Sequence, residues 1–266
     1  MKIYKKTFEY IVKTIPLSIL EFIRGSLSGK LTHSHPFIGR TYHKVYSFLR
    51  NPYVDKEFGR IYLDKGDVLG LSKGDDFEKE EVEFFKKWID PNKVVVDVGA
   101  HIGFYSLLAN FHGCRVYSFE PEVSTFDLLW KNVKEFPSIV VSRLAVSDKN
   151  EVKEFNVYPS GQSSFKYRPE WQDLGKIMVP CVRLDDVINE PVGFIKVDTE
   201  YWDYNVLLGA EKIIEKYRPV IMTEFCNDNR IVDFLESKNY SVKVGSENTV
   251  GNAVYAVPKN KKLLKT

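Results

Sequence analysis

Five acidic residues and one pair of glycines carry most of the chemistry legible in this chain. Val96-Asp97-Val98-Gly99-Ala100-His101-Ile102-Gly103 closes a β-branched run and opens a helix-like stretch. Glycines four apart at such a junction let the backbone approach a ligand at the helix N-terminus. Gly99 and Gly103 do not fit G-x-G-x-x-G, the dinucleotide fingerprint. Asp97 at the strand end is unfavourable beside a pyrophosphate but suits the α-amino group of a cationic cofactor such as S-adenosylmethionine (SAM). An ordinary tight turn is the alternative. Downstream, Tyr117-Ser118-Phe119-Glu120-Pro121 places a second acid at a strand end. A carboxylate there accepts both ribose hydroxyls, so Glu120 points to an adenosine ligand without choosing between SAM and NAD.

Phe194-Ile195-Lys196-Val197-Asp198-Thr199-Glu200 delivers Asp198 and Glu200, and Thr223-Glu224-Phe225 adds a third acid. A hydroxyl is a poor nucleophile until it is deprotonated, so methyl transfer to oxygen benefits from a carboxylate base. Clustered carboxylates raise one another's pKa, which favours that role. Three such oxygens could instead hold Mg²⁺, or each acid could cap a helix or lie on the surface; no metal is assigned. His101, inside the glycine loop, reads as a cofactor contact or a packing residue rather than a base. Ser163 and Ser164 lie in a loop suited to hydrogen-bonding a polar substrate, with a plain turn as the alternative. Tyr201 and Trp202 could stack on a sugar or simply pack.

These residues need a sheet to hold them. Val94–Val98, Arg115–Phe119, Ser138–Leu144, Phe194–Val197 and Val220–Phe225 read as strands. Between them, Phe104–Asn110, Ser124–Phe136, Tyr204–Tyr217 and Asn229–Asn239 have helical periodicity, as does Asp75–Ile89 ahead of them. Strand alternating with helix predicts a parallel sheet covered on both faces. Ser241–Val244 and Ala253–Val257 leave no room for a crossover helix and are expected to be antiparallel. Seven strands in this pattern predict an α/β, Rossmann-like fold. Two further strands, Glu154–Tyr158 and Ile177–Val182, form an insertion at about 151–184, placed to cover the carboxyl edge of the sheet. A short strand, Arg60–Leu63, precedes the domain proper.

The chain has 266 residues, 28% of them charged, and a net charge of +2. Its first 50 residues hold nine Lys and Arg against Glu9 and Glu21, a net +7, so the remainder carries −5. The division expected is a basic helical extension over 1–55 and one catalytic domain over 56–266. The extension is broken at Pro16, Gly25, Gly29 and Pro36. Its helix with Ile15, Ile19, Phe22 and Ile23 on one face is expected to pack on the domain or on a second subunit; peripheral contact with an anionic membrane is the alternative. No stretch approaches the length of a membrane span, and no signal-peptide pattern is present. Cys114, Cys181 and Cys226 form no disulfide framework, which predicts a reducing, cytoplasmic setting. With no RNA-binding module, nucleic acid is not expected as a partner.

Taken together the motifs resemble the FkbM-type methyltransferase family. They are Val-Asp-Val-Gly-Ala-His-Ile-Gly (96–103), Phe-Glu-Pro (119–121), Leu-Ala-Val-Ser-Asp (144–148), Gln-Ser-Ser (162–164), Arg-Leu-Asp (183–185), Phe-Ile-Lys-Val-Asp-Thr-Glu (194–200), Val-Leu-Leu-Gly-Ala (206–210) and Arg-Pro-Val-Ile-Met-Thr-Glu (218–224). The resemblance implies a class I, SAM-dependent enzyme that O-methylates a saccharide or natural-product-like acceptor. It implies cofactor contacts from Asp97, Gly99, Ala100, His101, Gly103, Glu120, Pro121 and Ala145. Catalysis would then fall to Glu200 or Asp198 with Glu224 in support, and acceptor binding to Ser163, Ser164, Tyr201 and Trp202. Two positions depart from the family pattern: His101 stands where Asn is usual, and Tyr201 where glycine is usual. A Tyr201 side chain filling the acceptor pocket would leave a SAM-binding scaffold without activity. An NAD-linked oxidoreductase is the remaining alternative.

Overall fold

In the computed structural model, Val94–Val98 (β3) is buried along its whole length. Its side chains alternate between two apolar layers, Val95 entering one and Val94, Val96 and Val98 the other. A strand buried on both faces belongs at the centre of a parallel sheet. The structure describes residues 52–64, 67, 69–71, 77–158, 162–170, 173–224, 227–245 and 253–261. The predicted N-terminal helices, Gly161, Phe225 and Cys226 lie outside these. The chain divides into compact units over 1–53 and 54–266, and the main sheet with its helices belongs to the second.

Hairpin strands Tyr53–Lys56 (β1) and Gly59–Tyr62 (β2) precede helix Lys79–Trp88 (α1). After β3 come Phe104–Phe111 (α2), Val116–Phe119 (β4), Val123–Val133 (α3), Ile139–Ser142 (β5), Ala145–Val146 (β6), Glu151–Asn156 (β7) and Lys176–Val182 (β8). The chain continues through Leu184–Val187 (α4), Val192–Val197 (β9), Asp203–Gly209 (α5), Glu211–Tyr217 (α6), Val220–Glu224 (β10), Asn229–Ser237 (α7), Tyr240–Val244 (β11) and Ala253–Pro258 (β12).

The main sheet has seven strands in the order β11-β12-β10-β9-β3-β4-β5. β10, β9, β3, β4 and β5 run parallel, whereas β12 pairs antiparallel with both β10 and β11. This is the Rossmann-like arrangement with an antiparallel end. The order reverses between β3 and β9, and at such a switch point the strand ends diverge to leave a crevice.

Three details differ from the sequence reading. The strand expected over 138–144 is cut at Ser142, and Ala145–Val146 joins a separate sheet of order β6-β8-β7. β6 has only two residues, too short a run to be separated from the strand before it by pattern. The helix expected over 204–217 is two helices. α5 presses against the end of β6 so closely that a Cβ on Gly209 would lie 2.0 Å from the Ser147 carbonyl oxygen. The axis turns at the following residue, Ala210. Finally, the insertion strands begin earlier than expected, at Glu151 and Lys176.

Cys114 and Cys181 are both buried and free. Among the described residues no helix is long and apolar enough to cross a membrane.

Candidate functional site

The carboxyl ends of β3, β4 and β9 converge on a cleft of about 880 Å³, open to solvent and roofed by the insertion sheet. Gly99 makes the first wall. Its φ of +73° suits glycine, and an added Cβ would fall 1.8 Å from the Asp198 carbonyl oxygen. The β3 turn and the β9 end therefore touch backbone to backbone, which only glycine permits. The Gly99 and Ala100 N–H groups both donate to the Phe119 carbonyl, at 2.9 and 3.0 Å, so β4 holds the loop in place.

Beyond Gly99 the chain adopts φ +50° at His101, and the His101 N–H donates to Glu120 Oε2 at 3.2 Å. The other Glu120 oxygen accepts from the Glu122 N–H at 3.0 Å. Burial pushes this carboxyl up to about 8, against those two stabilising N–H groups. Each carboxylate oxygen still has lone-pair capacity for one further donor, as a ribose diol requires. The His101 ring also lines the cleft, and among the described residues neither ring nitrogen has a hydrogen-bond partner. Burial lowers its pKa below 6.5, which favours the neutral imidazole, with one donor and one acceptor to offer.

Asp97 does not reach the cleft. On β3 it points toward α2, where Ser106 Oγ donates to its Oδ2 at 2.6 Å. Among the described residues its Oδ1 has no hydrogen-bond partner, and it lies 3.9 Å from Lys196 Nζ. Lys196 itself, on β9, is buried, with Nζ 3.3 Å from the Gly99 carbonyl and 3.3 Å from Asp198 Oδ2. Burial works to lower its pKa, but Asp198, Asp97 and Glu78 hold it above the ordinary lysine value. Sequence reasoning misses Lys196, which reads as one more strand residue; the signal is a lysine inside an otherwise apolar buried run. Glu78 escapes it too. This acid accepts from the Tyr105 hydroxyl at 2.6 Å, and burial, with Asp198 second, lifts its carboxyl to about 7.

The chain after β9 makes a turn in which Glu200 and Tyr201 both take positive φ, +51° and +76°. Thr199 Oγ1 donates to Asp203 Oδ2 at 2.9 Å, and Thr223 Oγ1 to Asp203 Oδ1 at 2.8 Å. Asp203, at the start of α5, thus ties the turn to β10. Asp198 and Glu200 line the cleft. Burial, with Asp198 and Asp203 behind it, raises the Glu200 carboxyl to about 7.

The sequence-predicted residues divide accordingly. Gly99, His101, Glu120, Pro121, Ala145, Ser163, Asp198, Glu200 and Trp202 line the cleft. Asp97, Ala100, Gly103, Ser164, Tyr201 and Glu224 do not. A Cβ on Gly103 would meet Leu129 and Val133, inside the fold. The Tyr201 ring lies beneath Lys166 and Arg168, with centroid distances of 4.0 and 4.4 Å, so it is held by the insertion rather than plugging the cleft. Phe155 and Phe165, not singled out in the sequence, join Trp202 in an aromatic wall. The Phe165 and Trp202 rings are 4.9 Å apart, and the Trp202 Nε1–H donates to Ser147 Oγ at 3.2 Å. Among the described residues no group of three or more His, Cys, Asp or Glu is arranged to hold a metal ion.

The Methyltransferase FkbM domain matches residues 97–242, more than half of the chain and every strand of the parallel core beyond Val96. A curated relative, 31-O-demethyl-FK506 methyltransferase FkbM from Streptomyces tacrolimicus, is 30% identical over 157 residues, covering 46% of this chain and 60% of that protein. Among solved structures, a methyltransferase FkbM from Methylobacillus flagellatus is similar with 18% identity and a TM-score of 0.45, over 63% of this chain and 44% of that one. A Streptococcus mutans protein in complex with SAH is similar with 10% identity and a TM-score of 0.46, over 67% of this chain and 96% of that one. The chain thus spans 60% and 44% of the length of the first two relatives. On the domain match and the motifs that fall within it, the chain belongs to the FkbM methyltransferase family.

Proposed function

We propose that this protein transfers a methyl group to a hydroxyl oxygen of a saccharide or natural-product-like acceptor, with Glu200 as the general base. The family's cofactor is SAM, which when bound supplies an electrophilic methyl group on a sulfonium. The residues present fit it: Glu120 offers two oxygens for a ribose diol, and His101 offers two ring nitrogens without a hydrogen-bond partner among the described residues.

One observation carries the reading. Glu200 lines the cleft with a carboxyl raised to about 7 by burial and by Asp198 and Asp203. A base whose pKa lies near the working pH is partly ionised, yet still strong enough to take a proton from a hydroxyl. Glu200 can hold that proton on a carboxylate oxygen while Asp198 beside it favours protonation. The aromatic wall of Phe155, Phe165 and Trp202 supports a saccharide acceptor, since sugar rings present flat apolar faces to such surfaces.

The test pairs calorimetric SAM titration with methyl transfer from labelled SAM to a panel of saccharides and polyketide alcohols. Glu200→Gln should bind SAM as wild type does and lose turnover by roughly 10²–10⁴-fold. Undiminished turnover would remove Glu200 from the mechanism.

A further inference from the structure

Ser164 reads in the sequence as a loop hydroxyl facing a substrate, but it is fully buried and faces the turn after β9. Its hydroxyl donates to the carbonyl oxygen of Glu200 and accepts from the Lys166 N–H at 3.1 Å. Its backbone is fastened to β7: Ser164 N–H donates to Asn156 O at 3.0 Å, and Asn156 N–H to Ser164 O at 2.9 Å. Asn156, itself buried, adds a side-chain N–H to the same oxygen at 3.1 Å. The insertion sheet thus reaches the catalytic turn through one hydroxyl on a rigid mount.

That turn needs a mount. Consecutive non-glycine residues at positive φ cost of order 1–3 kcal/mol each, and persist only where surrounding contacts over-determine them. On one side Asp203 holds Thr199; on the other, Lys166 and Arg168 flank the Tyr201 ring. Ser164 holds the peptide between those anchors, the one that carries Glu200.

We propose that Ser164 is a positioning residue for Glu200, its hydroxyl fixing the strained turn that aims the carboxylate into the cleft. This rests on the reading of Glu200 as the base. It also assigns the insertion sheet a part in building the catalytic turn as well as in covering the cofactor. The groups that face Glu200 are Asp198 and Lys196 from β9 and its end, Asp203 from α5 and Arg168 from the insertion. Release of the turn separates the carboxylate from the acids and lets water reach it.

The experiment follows the Glu200 carboxyl by NMR of the full chain labelled with ¹³C at glutamate carboxyls, the resonance being assigned by its loss in Glu200→Gln. In wild type the midpoint should lie near 7; in Ser164→Ala it should fall toward 4.5. Ser164→Cys, nearly isosteric with a weaker donor, should fall between the two, and it serves as the test variant if Ser164→Ala does not fold. A role in stability alone would lower the melting temperature and leave the midpoint where it was. An unchanged midpoint in a folded variant overturns the proposal, as does a wild-type midpoint near 4.5. Full turnover in Glu200→Gln would strike out the base assignment while leaving the titration result standing, so the two failures are separable.

Discussion

Lys196 Nζ lies 3.3 Å from the carbonyl oxygen of Gly99, so a buried cation on β9 grips the glycine turn of β3 from below. The same ammonium faces Asp97 and Asp198. One buried positive charge therefore serves the buried Asp97, the half-exposed Asp198 and a backbone dipole. Breaking a buried pair by removing one partner is costly because the other charge is left uncompensated. Lys196→Met should destabilise the protein by about 3 kcal/mol in urea unfolding at pH 8. The penalty should shrink toward pH 5, because burial already raises the Asp97 pKa and protonation removes its orphaned charge. A penalty independent of pH would mean that Lys196 acts by packing alone.

Glu120 gives a pH signature of the opposite kind to a salt-bridged acid. Its folded pKa, about 8, stands above the ordinary 4.5. Stability from the protonated carboxyl is therefore fully present below 4.5 and is lost as pH rises toward 8. Urea unfolding of the SAM-free protein should show falling stability across that window, and Glu120→Gln should flatten the slope. Some slope should remain, since Glu78 and Glu200, both near 7, and Asp203, near 6, act in the same direction. Hydroxyl donors favour the ionised carboxylate, so SAM should bind more tightly as pH approaches 8 in wild type, and Glu120→Ala should weaken binding by roughly 10–100-fold in calorimetry. Equal affinity in the variant would take Glu120 out of the cofactor site.

Gly99 admits no side chain. Alanine there would bring a Cβ within 1.8 Å of the Asp198 carbonyl and hold an L-residue at φ +73°. Either the β3 turn or the β9 end must move, and both line the cleft. Gly99→Ala should cost about 3 kcal/mol or more in stability and abolish SAM binding, read by urea unfolding and calorimetry. A folded variant with wild-type SAM affinity would show that the turn has slack which the backbone contact denies.

The strands are legible because β-branched runs such as Val94–Val98 have only one comfortable place in an α/β fold, and the acids at their ends mark the ligand edge. The antiparallel end is implied by a loop too short for a helix. What escapes is set by contacts across the fold. Lys196 occupies a strand position whose neighbours are apolar, and only the buried Asp97 and the cleft-lining Asp198 beside it explain the charge. Asn132 sits in the last turn of α3, yet its side chain bonds both the N–H and C=O of Tyr62 and the Ile102 carbonyl, joining residues 70 and 30 positions away. No local pattern announces such a residue. Ser164 stands out in the sequence for its hydroxyl but reads as a substrate contact, because the sequence does not say which way a loop side chain turns.

Tyr201 offers a test in which the order of two substitutions matters more than their size. At φ +76° a Cβ is strained, by of order 1–3 kcal/mol, and glycine is the residue such a position suits. Against that, the ring lies under Lys166 and Arg168, contacts worth about 0.5–1 kcal/mol each at partly exposed sites. Glycine also makes the unfolded chain looser, by about 0.4–1 kcal/mol. These contributions nearly cancel, so Tyr201→Gly should change stability by less than about 1 kcal/mol. Tyr201→Ala loses the ring and keeps the strained Cβ, so it should be the less stable of the two by about 1 kcal/mol, the reverse of the usual alanine-over-glycine order. Neither should open a new cavity in the cleft, because Tyr201 does not line it. Thermal and urea unfolding of both variants decides the matter: alanine more stable than glycine would mean that the turn relaxes to negative φ once the ring is gone.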